Sequence, residues 1–227
     1  MSGRKTFTAG EVLQAADVND FLMDQSVMVF AGTAARGSAI PSPSEGMVTY
    51  REDDDVVEVY DGSSFKPVGG LIDVKSALFT GTQSASVTAG SNVAVTDLSI
   101  THEVADASNK LIITACFGVA SGSAGSGRLG IAVAQDGTLI TVGDAAGSRT
   151  RVGAGGQVAG TGSTSVVSMP SITFVHSPGA GSKTYTVRAI NVRTSTQTLY
   201  INRSEADADD AATSRGVSSL VIQEVAV

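Results

Sequence analysis

The chain has 227 residues, of which 42% are hydrophobic and 16% charged, and it carries a net charge of −7. This composition predicts a packed domain with a smaller additional piece and argues against global disorder, while the acidic charge disfavours nucleic acid as a partner. The single cysteine, Cys116, excludes an internal disulfide framework and a cysteine-based zinc cluster. No apolar run is long enough to cross a membrane and no signal peptide is present, so we expect a soluble protein without a membrane span.

The composition changes near residues 68–70. Residues 1–70 hold 5 basic and 11 acidic residues, a net charge of −6, whereas residues 71–227 are nearly neutral and hold 18 of the 26 glycines. This change predicts two regions, 1–70 and 71–227, with the boundary between them at the two glycines.

A short helix is expected near the N-terminus. Thr8 and Glu11 have the spacing of a capping box, and Asp17 offers a second possible start. Apolar residues follow at helical intervals: Val12, Leu13, Ala16, Phe21 and Leu22. A helix this short is marginal alone, so it must dock on its own domain or on a neighbouring subunit.

The sequence pattern of residues 26–68 predicts a small β-meander. Ser26–Phe30 is an apolar strand, and the segment 31–46 is expected to be an irregular bridging loop because it contains two prolines. Residues 46–50 and 56–60 alternate and flank an acidic turn, which predicts a β-hairpin, and a third short strand follows at residues 64–68. Such a meander has too little core to be stable alone, which predicts association with copies of itself or with a larger assembly.

Several motifs of this region occur in an order that resembles a known family. They are TFTAGEVLQAADVNDFL, MVFAGTAAR, PSPSEGMVTY and VEVYDGSSFKPVG. Over residues 6–70 the chain resembles the N-terminal segment of many bacteriophage tail-fibre and minor tail proteins, and it departs from that pattern at the acidic turn 51–55. The resemblance implies a hairpin segment of a trimeric virion appendage that attaches to other virion proteins.

Residues 71–227 predict an all-β domain with no helix longer than two turns. The candidate strands are Ala85–Val95, Lys110–Val119, Gly127–Ala134, Thr138–Val142, Ser165–Phe174, Lys183–Val192, Gln197–Asn202 and Val217–Val227. About eight short strands separated by turn residues are typical of a sandwich or barrel, and eight favour an antiparallel jelly roll. The predicted fold class is therefore mainly β.

Two of these strands indicate oligomerisation. In the strand 110–119 one alternate set forms an apolar inward face, namely Leu111, Ile113, Ala115, Phe117 and Val119. In the last strand both alternate sets are apolar, with Leu220 and Ile222 on one face and Val217, Val221, Val225 and Val227 on the other. One face would meet the core and the other a second subunit, although a central strand covered by a loop is the alternative.

The run KTYTVRAINVRTSTQTLYINRS and the closing SSLVIQEV give a second resemblance. Over residues 85–227 the chain is similar in outline to the trimeric jelly rolls of phage fibre tips, and to the C1q and tumour-necrosis-factor fold. This resemblance implies a homotrimer.

The sequence offers little catalytic chemistry. The glycine-rich segment 143–164 contains two arginines but no Walker pattern, and we expect a flexible surface loop or one ordered by a neighbouring subunit. His102 stands beside Glu103 without an HExxH motif, and Cys116 lies in an apolar strand, where cysteine usually behaves as a small hydrophobe.

Two acidic runs are candidate calcium sites. Residues 52–55 lack the spaced oxygen ligands and turn glycine of an EF-hand loop, so a solvated hairpin tip is the preferred interpretation. The second run comprises Glu205, Asp207, Asp209 and Asp210, for which a solvated loop is again preferred over calcium binding. We therefore assign no catalytic, cofactor-binding or metal-binding residue, and we expect no cofactor.

The sequence thus predicts a non-enzymatic bacteriophage virion structural protein, assembled in the bacterial host cytoplasm as a homotrimer. A short tail fibre or receptor-binding protein is the preferred role, with residues 1–70 bound to the virion. The small polar residues of loops 143–164 and 177–182 suit hydrogen bonding to a host surface glycan. A capsid decoration or head-fibre protein is the alternative within this class, and a carbohydrate-active enzyme is the alternative from another class.

Overall fold

The structure is a computed structural model that describes residues 8–12, 14–18, 26–121, 128–157, 165, 167–211 and 213–226. The chain forms two compact units, Met1–Gly70 and Leu71–Val225. In the described part of the chain, no helix is long and apolar enough to cross a membrane.

The first unit contains a four-stranded sheet and two short helices. Its elements are α1 (Ala15–Val18), β1 (Met28–Phe30), α2 (Thr33–Ala39), β2 (Val48–Arg51), β3 (Val56–Tyr60) and β4 (Phe65–Pro67). The sheet order is β1-β2-β3-β4, with β1 parallel to β2 and the other pairs antiparallel. The predicted hairpin is confirmed, with Tyr50 opposite Val57.

The N-terminal helix begins later in the sequence than expected. Residues 8–12 form a turn in which the Thr8 amide donates to the Glu11 carboxylate at 3.0 Å, so the capping contact occurs without a helix at that point. One helical turn follows at Ala15–Val18. The rest of the predicted helix, residues 19–24, lies outside the described residues.

Helix α2 corrects the prediction of an irregular loop between residues 31 and 46. Pro41 restricts the backbone of Ile40, which has φ −124° and ends the helix, but it places no restriction on the residues before Ile40. The Arg36 guanidinium of α2 lies 4.0 Å from the centre of the Phe65 ring and forms an ion pair with Glu58. A cation–π contact and a half-buried ion pair therefore hold the helix on the sheet.

The described residues of the second unit form twelve strands. They are β5 (Leu71–Phe79), β6 (Gln83–Val87), β7 (Asn92–Val104), β8 (Lys110–Cys116), β9 (Val119–Ser121), β10 (Arg128–Gln135), β11 (Thr138–Leu139), β12 (Ala154–Gln157), β13 (Ser171–His176), β14 (Gly181–Asn191), β15 (Gln197–Ile201) and β16 (Ser218–Val225). Sheet I has the order β13-β8-β16-β5, and sheet II has the order β11-β10-β14-β7 with β12 also paired to β10. A smaller sheet has the order β6-β15-β9.

The strand order confirms the predicted jelly roll. The principal strands in chain order are β5, β7, β8, β10, β11, β13, β14 and β16. Sheet I contains the first, eighth, third and sixth of them, and sheet II contains the second, seventh, fourth and fifth, all antiparallel. The chain thus passes from one sheet to the other at each step except between the fourth and fifth strands, as in an eight-stranded jelly roll.

The two sheets enclose one hydrophobic core. Leu111, Ile113, Ala115 and Phe117 of the β8 segment are fully buried, which confirms the inward face predicted there. Strand β16 lies centrally between β5 and β8, and its Leu220 and Ile222 are also buried. Because this strand joins the two halves of sheet I, its inward residues lie at the centre of the core.

Three strand predictions are corrected. The expected strand 85–95 is two strands, β6 and β7, separated by a turn at Gly90, whose φ is 70°. Strand β5 was not predicted. The glycine-rich segment expected to be a flexible loop contains strand β12, which pairs with β10.

Close packing requires glycine at two positions in and beside that segment. A Cβ at Gly130 of β10 would lie 2.1 Å from the Val152 side chain, and one at Gly153 would lie 2.4 Å from the Thr141 carbonyl oxygen. Val152 therefore approaches β10 through a contact that glycine at position 130 permits. The rest of the predicted loop, residues 158–164, lies outside the described residues.

Ile222→Ala should lower the free energy of unfolding by about 2–5 kcal/mol, because it leaves a cavity in the shared core. Chemical denaturation at one fixed protein concentration measures this loss. The control, Ser99→Ala on the exposed side of β7, should change the value by no more than about 0.5 kcal/mol. A loss as small as that of the control would contradict the central position of β16.

Candidate functional site

The outward face of sheet I contains three complete rows of uncharged side chains, and its charged residue, Lys110, lies at the end of β8 beyond these rows. We call the three rows the assembly face; their twelve side chains are Val74, Ser76, Leu78, Ile112, Thr114, Cys116, Ser171, Thr173, Val175, Ser219, Val221 and Gln223. The register aligns them in rows across the four strands, so that Val221 lies between Ser76 and Thr114. Five are aliphatic and five are serine or threonine. Cys116 is half-buried on this face rather than in the core.

Exposed hydrophobic side chains concentrate on this face. Leu78 is 65% exposed and Val175 is 67% exposed. In the described part of the second unit, every large hydrophobic side chain that is exposed lies on sheet I or beside it: Leu71, Ile72, Val74, Leu78, Met169, Val175 and Val217. The outward positions of sheet II instead include charged side chains such as Glu103 and Arg188. An apolar, uncharged patch of this kind is typical of a protein–protein contact.

A buried polar cluster connects the two sheets. His102 of β7 and Glu224 of β16 are almost fully buried, and Nε2 of His102 donates to Oε2 of Glu224 at 2.7 Å. The other oxygen of Glu224 accepts from the Ala105 amide at 3.0 Å and from Asn109 Nδ2 at 2.6 Å. Oδ2 of Asp73 lies 3.5 Å from Nδ1 of the same imidazole. Because Glu224 has three donors, the cluster satisfies a buried carboxylate and holds β7 against β16.

The acidic hairpin tip is engaged by neighbouring side chains. Arg51 contacts Asp54 at 2.5 Å and Asp53 at 3.4 Å, and the Tyr50 hydroxyl donates to Asp55 at 2.7 Å. These carboxylates therefore have protein partners, which favours the interpretation as a hairpin tip over a calcium site. Among the described residues, no three His, Cys, Asp or Glu side chains are grouped so that they could hold a metal ion.

In the second acidic run, two arginines donate hydrogen bonds to Asp207. Asp207 accepts from Arg215 at 2.9 Å through both carboxylate oxygens and from Arg203 at 3.2 Å. The hydrogen bonds from Arg215, followed by those from Arg203, hold the pKa of Asp207 below its usual value. The run is thus an arginine-bound loop in which Asp207 has a structural role.

A groove of about 520 Å³ opens where segment 138–151 passes over sheet II. Its floor is aliphatic, formed by Leu139, Val142 and Ile190. Its polar wall comprises Asn92, Thr138, Ser148, Arg149, Thr150 and Arg151. The two arginines noted in the sequence thus line one surface groove. Sequence reasoning gave them no role because nothing local indicated what they would face.

No family model and no curated protein matches the sequence. Similar solved structures include the infectious bursal disease virus Gt strain, with a TM-score of 0.35, 10% identity, and coverage of 74% of this chain and 42% of that one. A second is the VP2 subviral particle of infectious bursal disease virus, with a TM-score of 0.32, 11% identity, and coverage of 74% and 41%. This chain spans less than half of each. Similarities at these scores carry no argument about function, and the resemblance of residues 6–70 to phage tail proteins stays a prediction.

Asp207→Asn should speed amide hydrogen exchange in residues 204–211 and 213–216 at pH 7, because it weakens both arginine contacts. In the unchanged protein the Asp207 contacts should persist above about pH 4, the ordinary range of an aspartate, and weaken as the pH falls through its lowered pKa. Exchange measured at pH 7 and at acid pH tests both statements. The control is Asp209→Asn, which removes one charge from the same loop and should leave exchange nearly unchanged.

Proposed function

We propose that this chain is a bacteriophage virion structural protein without enzymatic activity, and that it assembles as a homotrimer in a short tail fibre or receptor-binding protein. The observation that carries the proposal is the assembly face. The motif order of residues 6–70, which resembles phage tail proteins, supports the assignment to a virion. A capsid decoration or head-fibre protein would use the same face and remains the alternative.

The chemistry of the assembly face suits contact with copies of itself. In a closed trimeric ring, each subunit contacts the next through two different patches, and residues near the symmetry axis meet their own copies. A charged residue near that axis would meet its own copies, whereas the twelve positions of this face include no charge. Hydroxyl groups donate and accept hydrogen bonds, so serine and threonine can pair with their own copies. Thr114 and Thr173 already pair in this way within the sheet, at 3.1 Å.

The first unit also leaves apolar surface without cover. Among its described residues, Met47 is the one buried hydrophobic side chain. Large hydrophobic side chains remain exposed at Val12, Val27, Val29, Val57 and Val68. A core this small supports the proposal that residues 1–70 are stabilised by binding other virion proteins or copies of the chain.

The unchanged protein should have a solution mass near three times 22.9 kDa by light scattering at micromolar concentration. Val175→Lys and Leu78→Lys should give a folded monomer, since both side chains are exposed in the single chain but would be buried by a partner, where an unpaired charge is unfavourable. Ser99→Lys on β7 places the same charge on sheet II and should remain a trimer. A monomeric unchanged protein, or trimers from both sheet I variants, would refute the proposed interface.

Antibody labelling of purified virions tests the place of the protein. Antibodies against residues 71–227 should label intact virions at the tail, and antibodies against residues 1–70 should bind only after the virions are disrupted. Label distributed over the capsid would establish the decoration or head-fibre alternative instead. Intact virions labelled by the antibodies against 1–70 alone would reverse the proposed orientation.

A further inference from the structure

The arginines of the described chain fall into two groups. Arg36, Arg51, Arg203 and Arg215 each form an ion pair with a carboxylate of the protein. The other five have no such ion pair among the described residues: Arg128, Arg149, Arg151, Arg188 and Arg193. In a chain with a net charge of −7, these five arginines are available to pair with an anionic ligand.

The arginines without ion pairs lie on one side of the jelly roll. Arg149 and Arg151 line the groove over sheet II, where Ile190 of β14 forms part of the floor. Two residues away on the same strand face, Arg188 precedes Ile190. A second, smaller groove is lined by Arg128 and Arg193, and it includes Val192, two residues after Ile190. The positive side chains therefore lie in the two grooves and on the outward face of β14.

Backbone contacts orient the two groove arginines. Nε of Arg151 donates to the Gly143 carbonyl at 2.5 Å, and a terminal nitrogen of Arg149 donates to the Ala146 carbonyl at 3.3 Å. Each guanidinium has five N–H donors, so most of them remain available to a ligand. Asp144 is the one carboxylate of segment 138–157, and it forms no ion pair with either arginine.

We propose that this groove binds an acidic carbohydrate, through carboxylate or phosphate groups held by Arg149 and Arg151. Planar guanidinium groups match both anions with paired hydrogen bonds. The aliphatic floor suits the apolar face of a sugar ring, while the hydroxyl and amide groups of the wall suit its hydroxyls. This inference deepens the proposed receptor-binding role and rests on it.

Calorimetric titration of the intact protein tests the site with four probes: oligogalacturonate, poly(glycerol phosphate), neutral dextran and a single-stranded DNA oligonucleotide. One or both acidic carbohydrate probes should bind, and the neutral dextran should not. Comparison of the carboxylated with the phosphorylated probe identifies the anion. Raising the salt concentration should weaken binding, because the arginines are exposed.

The double variant Arg149→Gln and Arg151→Gln should weaken binding at least tenfold. Its matched control, Lys66→Gln and Lys110→Gln, removes the same charge elsewhere and should bind as the unchanged protein does. Equal binding by the two double variants, binding of dextran, tighter binding of the DNA probe, or no binding by any probe at millimolar concentration would overturn the inference.

Mass and virion labelling of the unchanged protein separate this inference from the proposed function. An unchanged protein that is a trimer and is present in virions, but binds no acidic carbohydrate, would remove the groove site and leave the structural role in place. A protein that is absent from virions would remove the structural role, whatever the groove binds.

Discussion

The fold of the second unit depends on strand β16, which completes sheet I between β5 and β8. Successive side chains of a strand point to opposite faces, so this one segment supplies the core and the surface at once. Leu220 and Ile222 enter the core, Val221 and Gln223 face outward, and Glu224 turns inward to bind His102 of the opposite sheet. A shift of one residue would exchange these sets and place a carboxylate outside and two polar side chains inside. The three hydrogen bonds that Glu224 accepts therefore stabilise the same register of β16 that burial of Leu220 and Ile222 favours.

Alternation of apolar residues was sufficient to predict most strands but not β5. The hairpin, the inward face of β8 and the central strand β16 all have a regular period of two, and the structure places them as expected. In β5 the inward positions include Asp73 and Lys75, while the outward ones include exposed Val74 and Leu78. These inward charges have partners far along the chain, since Lys75 donates to the Thr101 carbonyl at 3.3 Å. Because its inward positions include charged residues, the edge strand β5 lacks the alternation of apolar inward and polar outward residues by which the other strands were predicted.

The contact between His102 and Glu224 and the role of the glycines could not be predicted from the sequence for a related reason. His102 and Glu224 are separated by 122 residues, so inspection of the neighbours of His102 found only Glu103, which faces outward. The glycine-rich composition suggested flexibility, whereas Gly130 lets Val152 approach β10 and Gly153 lets the chain pass close to Thr141. Composition predicts neither case, because the requirement for glycine or for a buried carboxylate arises only when distant strands meet.

The same alternation gives the two sheets surfaces of opposite character. Sheet I presents twelve uncharged positions with exposed Leu78 and Val175, and sheet II lies beneath the arginine-lined groove. Burial of sheet I against copies of the chain removes apolar surface from water without placing like charges together. Because sheets I and II are the two layers of one sandwich, an assembly that buries the first must turn the second toward solvent. In the proposed trimer, self-association and ligand binding would therefore use separate faces, and the three subunits would present three identical grooves on the outer surface.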